Sequence, residues 1–183
     1  MLRNTDNAWG TGARLLHWIM AAMIVLQCTL GWLAVSWKLS PTKISLFVWH
    51  KSLGVLLLLL VLVRLGWRLG NPTPALPPQP AWEHTAARIS HVLLYTVMVA
   101  MPLSGWIINS AANIPFRVFG WFPLPDLTAP DKALASTMKA VHFGFFMALA
   151  ILLAIHIAAA LRHHFFLRND VLRRMWRQPR ASS

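Results

Sequence analysis

Three long stretches of this chain, residues 15–37, 89–116 and 140–161, carry no charge, and each is long enough to cross about 30 Å of hydrocarbon as an α-helix. A fourth, 44–63, is apolar except for Lys51, which lies near one end and can snorkel its ammonium to the interface. Only 12% of the 183 residues are charged, against about a quarter in an ordinary soluble domain. The runs predict an all-α membrane protein, a four-transmembrane-helix bundle with helices near 14–37, 44–68, 86–110 and 136–163, forming one unit over residues 1–183. The first run exceeds the length of a secretory signal core, and Trp37 and Lys38 stand where a cleavage site would need small residues, so it is predicted to stay as a helix.

In a soluble protein a net charge of +12 would point to nucleic acid, but here the cations lie between the spans, where they set topology. Four spans put both termini on one side. Eleven Lys and Arg fall on that side and six on the other, so the positive-inside rule predicts cytoplasmic termini, with the basic C-terminal tail resting on anionic lipid. Cys28 is the only cysteine, which excludes an intrachain disulfide and a thiolate metal cluster and reads as a small apolar residue.

Residues 70–82, GNPTPALPPQPAW, hold five prolines and predict a stiff, irregular cytoplasmic connection. The longest connection, about 111–135, includes IPFRVFGWFPLP, a composition suited to lying in the external interface and capping what lies beneath. Pro102 predicts a kink in the third helix, and Gly105 leaves room for the bend or for a close neighbour.

Within this frame the histidines carry the chemistry. His142 and His156 are fourteen residues apart in one uncharged run, about 21 Å of helical rise and close to four whole turns, so they share a face at two depths. An imidazole in hydrocarbon costs several kcal/mol unless something binds it. Distance from the helix ends sorts four histidines into two levels, His50 with His142 outside and His17 with His156 inside. Haem iron takes two axial ligands from opposite faces of a flat ring, which such pairs from separate helices can supply. Zinc wants three or four ligands at one point, and a proton relay wants intramembrane acids; no span holds Asp or Glu. Without a CxxCH motif the haem would be b-type.

Ala21, Gly54 and Ala160 each follow a candidate ligand by one turn and offer space for a porphyrin. Lys51 and Lys139 outside, and Arg14 and Arg162 inside, are placed by sequence to meet haem propionates. His91 falls at the inner level as well, so spacing alone leaves open which two of His17, His91 and His156 would bind the inner iron. His91, Tyr95 and Trp18 are candidate quinone or haem contacts. His163 and His164 read as interfacial, and His84, beside Glu83, as a solvated loop residue. A haem-free channel or assembly factor is the reading from another class, with the histidines satisfied by interhelical hydrogen bonds.

The motifs RLLHW, WHKSLG, SHVLLY, KAVHFGFF and HIAAALRHHFF, with PTP after the second helix and RNDVLRRM near the end, resemble the bacterial cytochrome b561 family over about residues 10–178. The resemblance implies two b haems with axial ligands His17/His156 and His50/His142, and electron exchange with ubiquinone in the bacterial inner membrane. Similar stand-alone proteins act as superoxide oxidases, which take electrons from periplasmic superoxide and reduce ubiquinone; an oxidoreductase of that type is the expectation. The core is also similar to the cytochrome b subunits of nickel-iron hydrogenases and formate dehydrogenases, so the alternative is an electron-transfer subunit serving a redox partner protein.

Overall fold

The computed structural model describes residues 1–6, 8–75 and 79–176; Pro77 and Pro78 of the proline-rich connection and Arg177 and Arg180 of the basic tail lie outside the described residues. Four helices, α1 (Thr11–Ser36), α2 (Pro41–Leu69), α3 (Ala81–Ala111) and α4 (Lys132–Phe165), are long and apolar enough to span a membrane. The chain is therefore an integral membrane protein built as a four-helix bundle. Between α3 and α4 lies a two-stranded antiparallel hairpin, β1 (Arg117–Val118) with β2 (Phe122–Pro123), and a short helix, α5 (Val171–Trp176), follows α4.

Helix starts follow local chemistry. Ser40 caps α2 by accepting from the Lys43 amide, with Pro41 in the first turn, where its missing N–H costs nothing. Asp131 accepts from the amides of Ala133 and Leu134, which starts α4 at Lys132 and not near 136. The largest departure from the sequence reading is α3, which begins at Ala81 and not near 86. His84 is thus an exposed helical residue and not a loop residue, and Glu83 is buried.

Glu83 can be buried because α4 neutralises it. Arg162 Nη1 lies 3.0 Å from one carboxylate oxygen and His163 Nε2 lies 3.7 Å from the other, tying the inner ends of α3 and α4 together. Removing one partner of a buried ion pair costs about 3–5 kcal/mol, but Arg162 is 48% exposed and water screens part of that. Arg162→Ala is therefore expected to cost about 2 kcal/mol, a fall of roughly 4–8 °C in the melting temperature of the solubilised protein. A shift below about 1 °C would show that Glu83 does not depend on Arg162.

Mid-bundle, Met20 and Ile24 of α1, Leu57 and Val61 of α2, Leu94 and Val97 of α3 and Leu149 of α4 form the buried core. Close backbone packing runs α1 on α2, α2 on α3 and α3 on α4; α4 hardly approaches α1 or α2. α4 is accordingly the least covered span, with 6% of its apolar window buried against 28% for α2.

Each end of the bundle is capped. On the hairpin side, the Phe119 amide donates to buried Ser52, Trp106 Nε1 donates to the Pro125 carbonyl, and the Leu127 amide donates to Ser110 Oγ. This fastens the long connection over α2 and α3, as its composition suggests. At the opposite end, Asn4 Nδ2 donates to the Pro72 carbonyl, Arg174 Nη1 to Ala75 O and Trp18 Nε1 to Met175 O. The N-terminal segment, the α2–α3 connection and α5 are thereby bound together beneath the inner histidines.

Candidate functional site

The two imidazole pairs expected from spacing meet in the structure. His50 of α2 faces His142 of α4 with ring centroids 6.4 Å apart, and His17 of α1 faces His156 of α4 at 6.3 Å. Both pairs bridge helices whose backbones stand apart, so the side chains point into the two gaps that helix packing leaves. A metal bond of about 2 Å from each imidazole, plus roughly 1.2 Å from nitrogen to ring centre, separates two axial ligands by about 6.4 Å. Both spacings fit that requirement. His91 lies 5.6 Å from His156, shorter than an intervening metal needs, so of the two imidazoles facing His156 it is His17 that stands at the required span.

The donor atoms of the outer pair can be followed through the hydrogen bonds. Ser104 Oγ lies 2.7 Å from the Met101 carbonyl and gives it its single proton. His142 Nδ1, 2.9 Å from that same Oγ and 3.1 Å from Met101 O, must then be the protonated nitrogen, donating to one or both. This leaves Nε2 with its lone pair free for a metal, the arrangement in which an outer hydrogen bond fixes the tautomer of a ligating histidine. His50 Nδ1 is buried with no hydrogen-bond partner among the described residues.

Two glycines hold these rings in place. A Cβ on Gly31 of α1 would sit 3.0 Å from His50 Cε1, and one on Gly105 of α3 would sit 3.3 Å from His142 Cε1. Gly105 is legible in the sequence as a small residue close to Pro102, whereas nothing local to Gly31 marks it. Gly54, expected to give space to a porphyrin, instead receives Gln27, whose Nε2 would lie 3.0 Å from an added Cβ. That amide donates to the His50 carbonyl at 3.0 Å, so Gln27 braces the turn of α2 that carries His50, a role nothing local to Gln27 in the sequence marks. A cleft of about 320 Å³ lined by Cys28, Thr29, Trp32 and Leu33 of α1 and Phe146 of α4 marks the opening between these two helices.

The candidate propionate contacts have distinct surroundings. Lys51 Nζ lies 2.7 Å from Asn109 Oδ1 and 5.4 Å from the centre of the Phe116 ring, half-buried beside the outer pair. Lys139 is exposed. Arg162 is engaged by Glu83, and Arg14 bonds Thr11 Oγ1 at 3.2 Å and Trp176 O at 3.5 Å, which turns it toward α5. Of the candidate quinone or haem contacts, Trp18 packs edge-on to His17 with centroids 5.1 Å apart, and Tyr95 accepts from Arg64 Nε at 3.0 Å. His163 joins the Glu83 cluster and bonds Asn169 Nδ2 through Nδ1 at 2.7 Å; His164 lines a surface pocket near α5.

This donor set suits iron porphyrin: paired nitrogen donors at the right separation, free of carboxylate and thiolate, in apolar gaps. A family model for prokaryotic cytochrome b561 matches residues 8–178. Cytochrome b561 homolog 2 of Escherichia coli (strain K12) is 32% identical, with 94% of this chain and 93% of the relative covered. Cytochrome b561 homolog 1 of the same organism is 28% identical, with 87% and 92% covered. A protein of Yersinia pestis described as probable superoxide oxidase CybB is 25% identical, with 91% and 94% covered.

Proposed function

The chain belongs to the prokaryotic cytochrome b561 family, and from that premise we propose that this membrane electron-transfer protein holds two b-type haems and oxidises superoxide outside while reducing ubiquinone. The observation that carries the two-haem reading is the pair of imidazole couples at 6.3 and 6.4 Å, both spanning gaps beside α4. His50 and His142 are assigned to the outer iron, His17 and His156 to the inner one. The 5.6 Å approach of His91 to His156 favours His17 as the second inner ligand and leaves His91 as a contact for haem or quinone. The whole chain forms one membrane cytochrome unit, in the bacterial inner membrane with both termini cytoplasmic, on the charge count of eleven against six.

Haem iron supplies reversible one-electron exchange when bound. The protein's own part is to orient His142 through Ser104 and Met101, brace His50 through Gln27, and keep water from both levels. Lys51 and Lys139 are available to the outer propionates. On the outer side, six Lys and Arg face only Asp126 and Asp131, and Asp131 is occupied in capping α4. That excess favours approach of a small anion. Superoxide oxidation fits this surface and the name carried by the Yersinia relative. Two superoxide anions would each give up one electron, and one ubiquinone would take up two electrons and two protons.

The test is a haem count on the purified protein, followed by anaerobic addition of a superoxide source with ubiquinone. Two haems per chain and ubiquinol formed in step with superoxide loss are the expected results. A single haem at full occupancy would overturn the two-site reading. Two haems reduced by ubiquinol but inert to superoxide would overturn the donor and favour service to a separate redox partner.

A further inference from the structure

Arg64 and Arg68 lie one turn apart near the inner end of α2, both half-buried, and neither meets a carboxylate among the described residues. The chain has only five Asp and Glu. Glu83 is taken by Arg162 and His163, Asp170 faces Arg173, and Asp126 and Asp131 are at the far end. Asp6 lies in the N-terminal segment, where its carbonyl receives the Ala75 amide. A guanidinium does not escape desolvation by losing its proton. Two such groups in an apolar bundle call for an anion from elsewhere.

Their surroundings show where that anion would sit. Tyr95 accepts from Arg64 Nε at 3.0 Å, which fixes the guanidinium plane and leaves both Nη groups without a hydrogen bond to the described protein. A guanidinium held in this way presents paired donors that match a carboxylate. Arg68 stacks over the Tyr95 ring at 5.8 Å. Arg64 stands fourteen residues from His50 on α2, close to four whole turns and about 21 Å of rise, which places it on the same face at the inner level, and its partner Tyr95 follows His91 by one turn on α3. The two inner cations picked out by sequence position are directed elsewhere, Arg162 to Glu83 and Arg14 to Thr11 and Trp176.

Resting on the inner haem assigned above, we propose that Arg64, oriented by Tyr95 and seconded by Arg68, is the counter-charge for the carboxylates of that haem, in place of Arg14 and Arg162. A fixed cation beside a haem disfavours the more positive oxidised state, so Arg64 raises the inner haem's reduction potential.

The measurement is an optical redox titration of the purified protein with its haem content, the inner haem being identified as the one retained in His142→Ala. Arg64→Gln is expected to lower the inner reduction equilibrium about tenfold, a fall of about 59 mV for one electron, and to leave the outer haem unmoved. Selective loss of the inner haem supports the same assignment. Tyr95→Phe should give a smaller fall in the same direction, and Arg14→Gln and Arg162→Gln none. If Arg64→Gln fails to fold, Arg68→Gln decides: a lowered inner potential supports the proposal and an unchanged one overturns it. The proposal also falls if Arg162→Gln or Arg14→Gln moves the inner potential while Arg64→Gln does not; the haem site itself would then stand. A wild-type protein with no inner haem would instead sink the two-haem reading.

Discussion

Replacing His142 with alanine is expected to halve the haem content of the purified protein, removing the outer haem and leaving most of the inner one. His50→Ala should do the same, and His17→Ala or His156→Ala should give the opposite loss. The selectivity follows from depth: the two imidazole couples are separated along α4 by about 21 Å of rise, with the Leu149 layer of the core between them. Optical spectra of the four variants, with haem per chain, check the assignment. Any one of them that keeps both haems removes that residue from the ligand set, and His91→Ala would then be the variant to examine at the inner level.

The second large effect is expected from adding atoms where the rings have no spare room. Gly31→Leu should cost the outer haem while leaving the inner, because even the first added carbon would lie 3.0 Å from His50 Cε1. Three alanine substitutions grade the argument. Gly31→Ala should lower outer-haem occupancy most, and Gly105→Ala, at 3.3 Å from His142, less. Gly144→Ala meets nothing within 4 Å, and should leave both haems in place while gaining up to about 1 kcal/mol of helix propensity. Equal haem occupancy across the three would show that the glycines do not seat the ligands.

The spans were legible because a bilayer tolerates few charges, so uncharged length alone marks a helix. Pairing of His50 with His142 was legible because depth is counted from helix ends, and the helix ends are marked by charges. What stayed hidden depends on partners distant in sequence. The burial of Glu83 and the early start of α3 were hidden because the neutralising Arg162 is 79 residues away. Gly31 serves a histidine on the next helix, and the rule of looking one turn along the same helix pointed to Gly54 instead. Arg64 is hidden because the nearest candidate ligand in sequence, His50, lies at the other level; fourteen residues, close to four turns of α2, carry Arg64 along the same face to the inner one.

Because each imidazole couple takes one member from α4, biogenesis acquires an order. α4 follows the other three spans out of the ribosome, so on the two-haem reading proposed above neither iron would meet its assigned pair of imidazoles until α4 had been synthesised and inserted. A nascent or truncated chain ending after α3 would have a lone His50 at the outer level and His17 with His91 at the inner one, so on the proposed reading neither assigned couple could form and cofactor loading would be a late step.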